Sequence, residues 1–181
     1  MSMAGRAAPL TYDDYLHLPP DRRWELVGGV PKVVPSPNTR HQDIVVELVR
    51  LIANHLKRHG GGRVFVAPFD AVLSDIDVFQ PDVVFVSDAD IDVLTDDNIR
   101  GNPTWVIEVL SNPYYERDKF VRYEAAGVGE YWLINPYEDT LDVSLLEPDG
   151  ERRSETFAPS ARVRPRCLPS LEIDLAYVLA R

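Results

Sequence analysis

The sequence predicts an α/β domain in which a mixed central sheet is flanked by helices. Short apolar runs rich in β-branched residues indicate strands buried on both faces, and the clearest are QPDVVFV (80–86) and WVIEVLS (105–111). A long stretch with helical spacing of apolar residues lies before them, near 41–59. Because strand and helix patterns intermix around a buried centre, we expect helices to cover the sheet.

Length and composition indicate a globular protein with one core. The chain has 181 residues, and we expect residues 1–10 to be disordered and residues 11–181 to form a single domain. There is no apolar run of transmembrane length and no long apolar segment typical of a secretory signal, so a cytoplasmic protein without membrane contact is expected. The single cysteine, Cys167, excludes an intrachain disulfide and is interpreted as structural.

The charge distribution limits the possible partners. The net charge of −10 argues against a generic nucleic-acid binder, because such proteins usually carry a basic surplus. The acids concentrate in 69–97, whereas the first long helix and a set of late arginines are net basic. A charge-segregated chain could bind DNA through its basic face; the alternative is a solvated acidic face that keeps the protein soluble. The late arginines are Arg152, Arg153, Arg162, Arg164 and Arg166.

The N-terminal half predicts a short helix, a hairpin and a long helix. Thr11 is placed to cap the short helix. RWELVGG and PKVVPS predict two strands joined through Gly28-Gly29, a hairpin signal. Asn38 or Thr39 caps the long helix near 41–59, and three glycines in succession end it.

The C-terminal half predicts further strands and two more helices. RVFVAPFDAVLS (63–74) predicts one long extended run, in which Pro68 indicates an edge or a bulge. The acidic segment 88–97 is expected to be a loop or a short helix. After WVIEVLS a second helix follows and ends at Gly127. EYWLINP and TLDVSLLEP predict strands, and short outer strands or loops and a short helix end the chain.

Two acids stand inside the apolar runs: Asp82 in QPDVVFV and Glu108 in WVIEVLS. An isolated buried charge is very costly, so each carboxylate must be paired, hydrogen-bonded, neutral or bound to a metal. Two neighbouring strands would bring both carboxylates together, and Lys119 follows on the next helix. Two carboxylates and an ammonium suit metal-assisted phosphodiester hydrolysis. The alternative is a hydrogen-bonded structural acid on each strand.

Three further residues are candidate auxiliaries of this site. Glu25 lies in the first predicted strand, where the alternative is an exposed position or a local ion pair. His41 lies beside the apolar face of the long helix and is either a site residue or a capping or packing histidine. Glu47 lies on the same helix and is either an acid on the metal side or a solvated helix residue.

Taken in order, these segments resemble the PD-(D/E)XK nuclease superfamily and, more closely, its Uma branch of restriction-endonuclease-like bacterial proteins. The resemblance implies a restriction-endonuclease-like core with Asp82 and Glu108 in the acidic motif positions. The usual lysine position of the motif holds Leu110, and the K-x-x-x-Y spacing of Lys119 and Tyr123 matches the displaced lysine of this branch. The segments that carry the resemblance cover most of the chain: RWELVGG, SPNTRHQDIVVEL, QPDVVFV, WVIEVLS, KFVRYEAAGVGEYWLINP and CLPSLEIDL.

The resemblance implies a Mg²⁺- or Mn²⁺-dependent endonuclease that hydrolyses DNA. Asp82 and Glu108 would be the catalytic metal ligands, and Lys119 would orient the attacking water or offset charge on the phosphate. DNA is then expected on the face that carries the long helix and the late arginines. A homodimer is an expectation from the class alone, because nucleases that cut both strands often act as dimers.

Two other functions stay open at this stage. The acidic surface, a short segment between Glu108 and Lys119, and Val30 in place of the usual acid of the branch favour a catalytically weak or inactive binding or regulatory module. A hydrolase of a small phosphorylated or nucleotide substrate would need no basic groove. Metal-dependent cleavage assays on polymer and mononucleotide substrates separate these functions.

Overall fold

The computed structural model describes residues 8–111 and 113–180, without the side chains of residues 113–117. Residues 1–7 of the segment predicted to be disordered lie outside this range. Leu10 donates a backbone hydrogen bond to the Gly29 carbonyl at 2.9 Å. The helices are α1 (Tyr12–Tyr15), α2 (Thr39–His59), α3 (Pro113–Ala126) and α4 (Leu175–Leu179). The strands are β1 (Trp24–Val27), β2 (Val30–Val33), β3 (Gly62–Val66), β4 (Ala71–Ser74), β5 (Asp77–Phe79), β6 (Val83–Ser87), β7 (Ile99–Arg100), β8 (Trp105–Val109), β9 (Glu130–Asn135), β10 (Thr140–Leu146), β11 (Arg152–Phe157), β12 (Arg162–Val163) and β13 (Ile173–Asp174).

A six-stranded mixed sheet forms the centre, in the order β11-β10-β9-β8-β6-β3. β8 and β9 run parallel, whereas the other neighbouring pairs are antiparallel. The parallel pair requires a crossover, and α3 supplies it, as expected for a βαβ unit. The mixed sheet with flanking helices confirms the predicted fold class.

The central strands are buried on both faces, which explains their uninterrupted apolar runs. On β6, Val83 and Phe85 join the core beneath α2, while Val84 and Val86 join the core on the opposite face. The C-terminal segment adds β13 and α4 to the α2 side of the core. The residues of α2 that pack against the sheet include Ile44, Leu48 and Ile52.

A second sheet, of five strands, lies on the α3 side in the order β2-β1-β5-β4-β7. The sequence did not predict it as a separate sheet, because an alternating pattern identifies a strand without identifying its partner. The predicted single run 63–74 is wrong for the same reason. The chain forms β3 in the larger sheet, turns at Ala67-Pro68, and enters the smaller sheet as β4.

The ends of the elements follow local sequence signals. Thr11 caps α1 in a capping box with Asp14, and Asn38 caps α2 by accepting from the His41 backbone N–H at 2.9 Å. The β1–β2 turn places Gly28 and Gly29 at φ 57° and 75°, the left-handed region that two-residue hairpin turns need. The acidic segment forms a 3₁₀ helix at Asp88–Val93, in agreement with the predicted loop or short helix.

Candidate active site

Asp82 and Glu108 meet at one end of the β6–β8 pair. Val83 lies opposite Ile107 in this antiparallel register, so the next position brings Asp82 opposite Glu108. The Asp82 backbone N–H lies 3.4 Å from Glu108 Oε2. Both carboxylates line one cavity of about 30 Å³. This volume suits a single water or ion.

Asp82 is held by one side chain and one backbone group. His41 Nε2 lies 2.9 Å from Asp82 Oδ2, and the Val109 N–H donates to the same oxygen at 2.9 Å. Burial by itself would raise the pKa of Asp82, but His41, Lys119 and the Val109 N–H together hold that pKa below its ordinary value. Asp82 is therefore a carboxylate at neutral pH, the form that binds a cation.

His41 reaches this position because α2 begins beside the cavity. The Asn38 cap holds the first turn of the helix, and that turn carries His41 over the start of β6. Within the described part of the chain, His41 Nδ1 is buried and has no hydrogen-bond partner. The interpretation of His41 as a capping or packing residue is therefore incomplete, because its ring also contacts Asp82 directly.

Glu108 and Lys119 form a buried ion pair on the other side of the cavity. Lys119 Nζ lies 2.6 Å from Glu108 Oε1, and the Tyr123 hydroxyl donates to the same oxygen at 3.0 Å. Both side chains are at most 4% exposed. Lys119 and Tyr123 are one turn apart on α3, so both reach the same carboxylate. Burial and the charge of Glu108 raise the pKa of Tyr123, which stays a neutral donor.

Glu25, on β1 of the second sheet, contacts Lys119. Its Oε1 lies 3.2 Å from Lys119 Nζ and accepts the Gln80 backbone N–H at 2.7 Å. The side chain is fully buried, so the exposed-position interpretation of Glu25 is wrong, and its partner lies 94 residues away rather than close in sequence. Glu25 thus links Lys119 to the segment that leads into Asp82.

Glu47 is not among the described residues that line the cavity. It is buried and pairs with Arg50, whose Nε donates to Glu47 Oε2 at 3.0 Å. Glu47 follows His41 by six residues, about 240° around α2, and therefore faces a different side of the helix. The solvated position considered for Glu47 is wrong, because the side chain is buried. The auxiliary role of Glu47 stays a prediction.

Lys119, rather than Leu110 or Arg122, is the residue that contacts Glu108 at the cavity. Leu110 is a buried aliphatic residue. Arg122 contacts Asp77 at 3.5 Å, and its guanidinium packs against the turn at Gly28. The short segment before α3 therefore still brings Lys119 to Glu108.

The donor set at the cavity is compatible with a hard divalent cation. Carboxylate oxygens are the ligands that Mg²⁺ and Mn²⁺ prefer, and Asp82 Oδ1 makes no hydrogen bond to the described residues. Among those residues, however, no group of three or more His, Cys, Asp or Glu side chains is arranged as a complete metal site. Water or substrate oxygens would have to complete the coordination of an ion held by Asp82 and Glu108.

Arg23 also lines the cavity, and sequence reasoning missed it. It lies two residues before Glu25, immediately before β1, where the extended chain still pairs with β2, so alternation places both side chains on the same side. A basic residue two positions from a buried acid was the available signal. The remaining lining residues are Val34, Pro35, Pro37 and Ser111.

A comparison with solved structures identifies the class of fold. The chain is similar to a crystal structure described as a "putative nuclease belonging to DUF820" from Anabaena variabilis ATCC 29413, with 24% sequence identity and a TM-score of 0.80. The match covers 95% of this chain and 98% of that chain. This likeness establishes a nuclease-like α/β fold.

The family follows from the sequence match. Residues 12–176 match the Uma2 family, described as "Putative restriction endonuclease", and the chain belongs to this family. The predicted resemblance to the Uma branch is thereby confirmed. No curated protein matches the chain. Across the described residues, no helix combines the length and the apolar character needed to span a membrane.

Proposed function

We propose that the chain is a metal-dependent nuclease that hydrolyses phosphodiester bonds of DNA. The observation that carries the proposal is the convergence of Asp82, Glu108 and Lys119 on one small cavity at the end of a central strand pair. Membership of the Uma2 family and the nuclease-like fold support the same activity. Homodimer formation remains a prediction.

In this proposal each residue has a separate task. Asp82 and Glu108 would hold Mg²⁺ or Mn²⁺, which when bound polarises the scissile phosphate and lowers the pKa of a bound water. Lys119 would orient the attacking water or offset the negative charge that develops on the phosphate. His41 would keep Asp82 in position through its 2.9 Å contact.

The position of Lys119 between two acids has a mechanistic consequence. If Glu108 turns towards a cation, Lys119 keeps an ionic partner, because Glu25 Oε1 lies 3.2 Å from its ammonium. The ammonium would therefore stay buried and charged beside the cavity while Glu108 binds metal. A lysine with a single carboxylate partner would lose that compensation.

The metal assignment is tested with Asp82→Asn, which removes the charge but keeps the side-chain size. We expect Mn²⁺ binding, measured by calorimetry, to weaken at least about tenfold while circular dichroism stays unchanged, because an amide is a much poorer ligand than a carboxylate. Asp96→Asn, which alters an exposed acid of the acidic segment, is the matched control and should bind as the wild type does. Full affinity in Asp82→Asn would remove this residue from the metal site.

One observation favours the alternative of a weakly active or inactive binding module. The cavity is small, and both acids already contact a side chain, Asp82 that of His41 and Glu108 that of Lys119. Cleavage assays with Mg²⁺ and Mn²⁺ on plasmid, single-stranded and oligonucleotide substrates decide between the two functions. Activity only on mononucleotides would instead indicate a small-substrate hydrolase.

A further inference from the structure

Arg23 lies where three depressions of the surface meet. It lines the 30 Å³ cavity that holds Asp82 and Glu108. It also lines a depression of about 450 Å³ beside Trp24 and a depression of about 460 Å³ beside Pro35. A molecule that follows the surface from one depression to the other would pass Arg23 at the mouth of the cavity.

The guanidinium of Arg23 is fixed in position without an acidic partner. Its Nε donates to Gln80 Oε1 at 2.7 Å, and its Nη2 donates to the Gln80 carbonyl at 2.9 Å. Gln80 is fixed in turn, because its Nε2 donates to Asp70 Oδ1 at 2.8 Å. No carboxylate of the described residues forms an ion pair with Arg23, so its charge is available to an anionic ligand.

Three of the five late arginines differ in this respect. Arg162 and Arg164 both contact Glu172, and Arg166 contacts Glu147 at 2.9 Å. Their positive charge is largely offset by acids within the fold. Arg23 combines proximity to the site acids with an unpaired charge, and a fixed guanidinium is well suited to bind a phosphate.

The depression beside Trp24 has the chemistry of a base-binding surface. Its walls are aromatic and apolar, and Leu16 is 58% exposed there. The Trp24 indole is held by a 2.9 Å hydrogen bond to the Pro19 carbonyl, so the ring is already positioned. Aromatic faces next to a basic group are typical of surfaces that stack nucleobases. The other apolar residues of the depression are Leu18, Pro20 and Pro68.

A base can reach such a surface only when it is not stacked and paired within a duplex. The net charge of −10 also disfavours the dense charge of a duplex more than that of a single strand. We propose that Arg23 binds the phosphodiester of an unpaired nucleotide and that the depression beside Trp24 takes the adjoining base. The inference rests on the proposed function, because it takes a phosphodiester as the ligand of this site.

The test measures binding by fluorescence anisotropy in EDTA, which prevents metal-dependent cleavage. The probes are a fluorescein-labelled 12-nucleotide thymidylate strand and a labelled hairpin duplex. We expect the single strand to bind more tightly than the duplex, and Arg23→Gln to weaken single-strand binding about tenfold or more. Arg23→Lys should not restore it, because an ammonium cannot reproduce the fixed fork.

Two further variants test whether a loss of binding is specific to Arg23 and the depression beside Trp24. Arg63→Gln removes one exposed positive charge on β3, opposite Val86 and so at the other end of β6 from Asp82, and should change affinity less than about twofold. Leu16→Glu places a negative charge in the depression at an exposed position, so it should fold normally and weaken single-strand binding. Leu16→Glu decides the question if Arg23→Gln does not fold.

Wild-type binding by both Arg23→Gln and Leu16→Glu, or equal affinity for strand and duplex, would overturn the inference. Cleavage with Mn²⁺ is measured in parallel to separate it from the proposed function. Single-strand binding that depends on Arg23 without any cleavage would reject the nuclease proposal alone. Cleavage with an unchanged KM in both variants would reject the inference alone.

Discussion

Lys119 connects the stability of the fold to the proposed chemistry. Its ammonium is almost completely buried and touches two buried carboxylates, those of Glu25 and Glu108. Buried acids without a compensating charge are strongly destabilising. The same ammonium lies beside the cavity where a phosphate would approach. A change at Lys119 therefore alters the free energy of unfolding as well as the proposed reaction.

Lys119→Ala should abolish most of any cleavage activity and lower the free energy of unfolding by about 3–5 kcal/mol, because it leaves two uncompensated acids. Urea unfolding and oligonucleotide cleavage at a matched folded fraction measure both effects. The double variant Glu25→Gln with Lys119→Met should recover part of the stability and none of the activity. A double variant that cleaves at the wild-type rate would exclude Lys119 from the mechanism.

At the scale of elements, α2 is the structure that positions His41. The helix begins at the Asn38 cap, and His41 lies in its first turn. Three residues of the same helix, Ile44, Leu48 and Ile52, anchor it on the larger sheet. The cap therefore holds the first turn, which carries the contact between His41 and Asp82.

Asn38→Ala should lower the free energy of unfolding by about 1 kcal/mol, since it removes the side-chain acceptor of the first turn. Because the first turn carries His41, we also expect Asn38→Ala to weaken Mn²⁺ binding. The loss of affinity should be larger than the loss of folded protein explains. Asn38→Asp keeps the acceptor and serves as the control, measured by urea unfolding and calorimetry. Equal behaviour of the two variants would mean that the cap has no role in positioning His41.

At the scale of the whole molecule, the free energy of unfolding depends on pH because buried groups hold their protons. Burial is the main cause that raises the pKa of the Cys167 thiol and of the Tyr15 and Tyr123 hydroxyls above their ordinary values. In the unfolded chain these groups ionise at about 8.5 for cysteine and about 10 for tyrosine. The folded protein thus retains protons that the unfolded chain releases at alkaline pH.

The free energy of unfolding should therefore be insensitive to these groups below about pH 8 and should fall as pH rises further. Each group contributes a loss of about 1.4 kcal/mol per pH unit above its unfolded pKa. Urea unfolding between pH 7 and 10.5 measures this slope. In Cys167→Ala the loss should begin closer to pH 10, and an unchanged onset would show that the thiol does not contribute.

The charge of the whole molecule also bears on nucleic-acid binding. Three of the five late arginines, Arg162, Arg164 and Arg166, lie in ion pairs with acids of the fold, so the expected basic face carries less available charge than its composition indicates. A protein with a net charge of −10 then depends on a few well-placed cations near the site rather than on a broad basic surface.

The sequence by itself determined the class of fold and the identity of the two central acids. Apolar runs predict buried strands, and a carboxylate inside such a run requires compensation, so Asp82, Glu108 and a nearby lysine followed from the sequence. Capping and glycine signals located α2 and the β1–β2 hairpin to within a few residues. All of these features depend on neighbours in sequence.

Only the tertiary structure decided which elements meet. Alternation predicts a strand and its faces but not its partner, so the second sheet and the division of 63–74 could not be predicted. The same sheet brings Glu25 and Arg23 to the cavity. Lys119 and Glu25 are 94 residues apart in sequence, and they meet because the smaller sheet packs against α3 and against one face of the larger sheet.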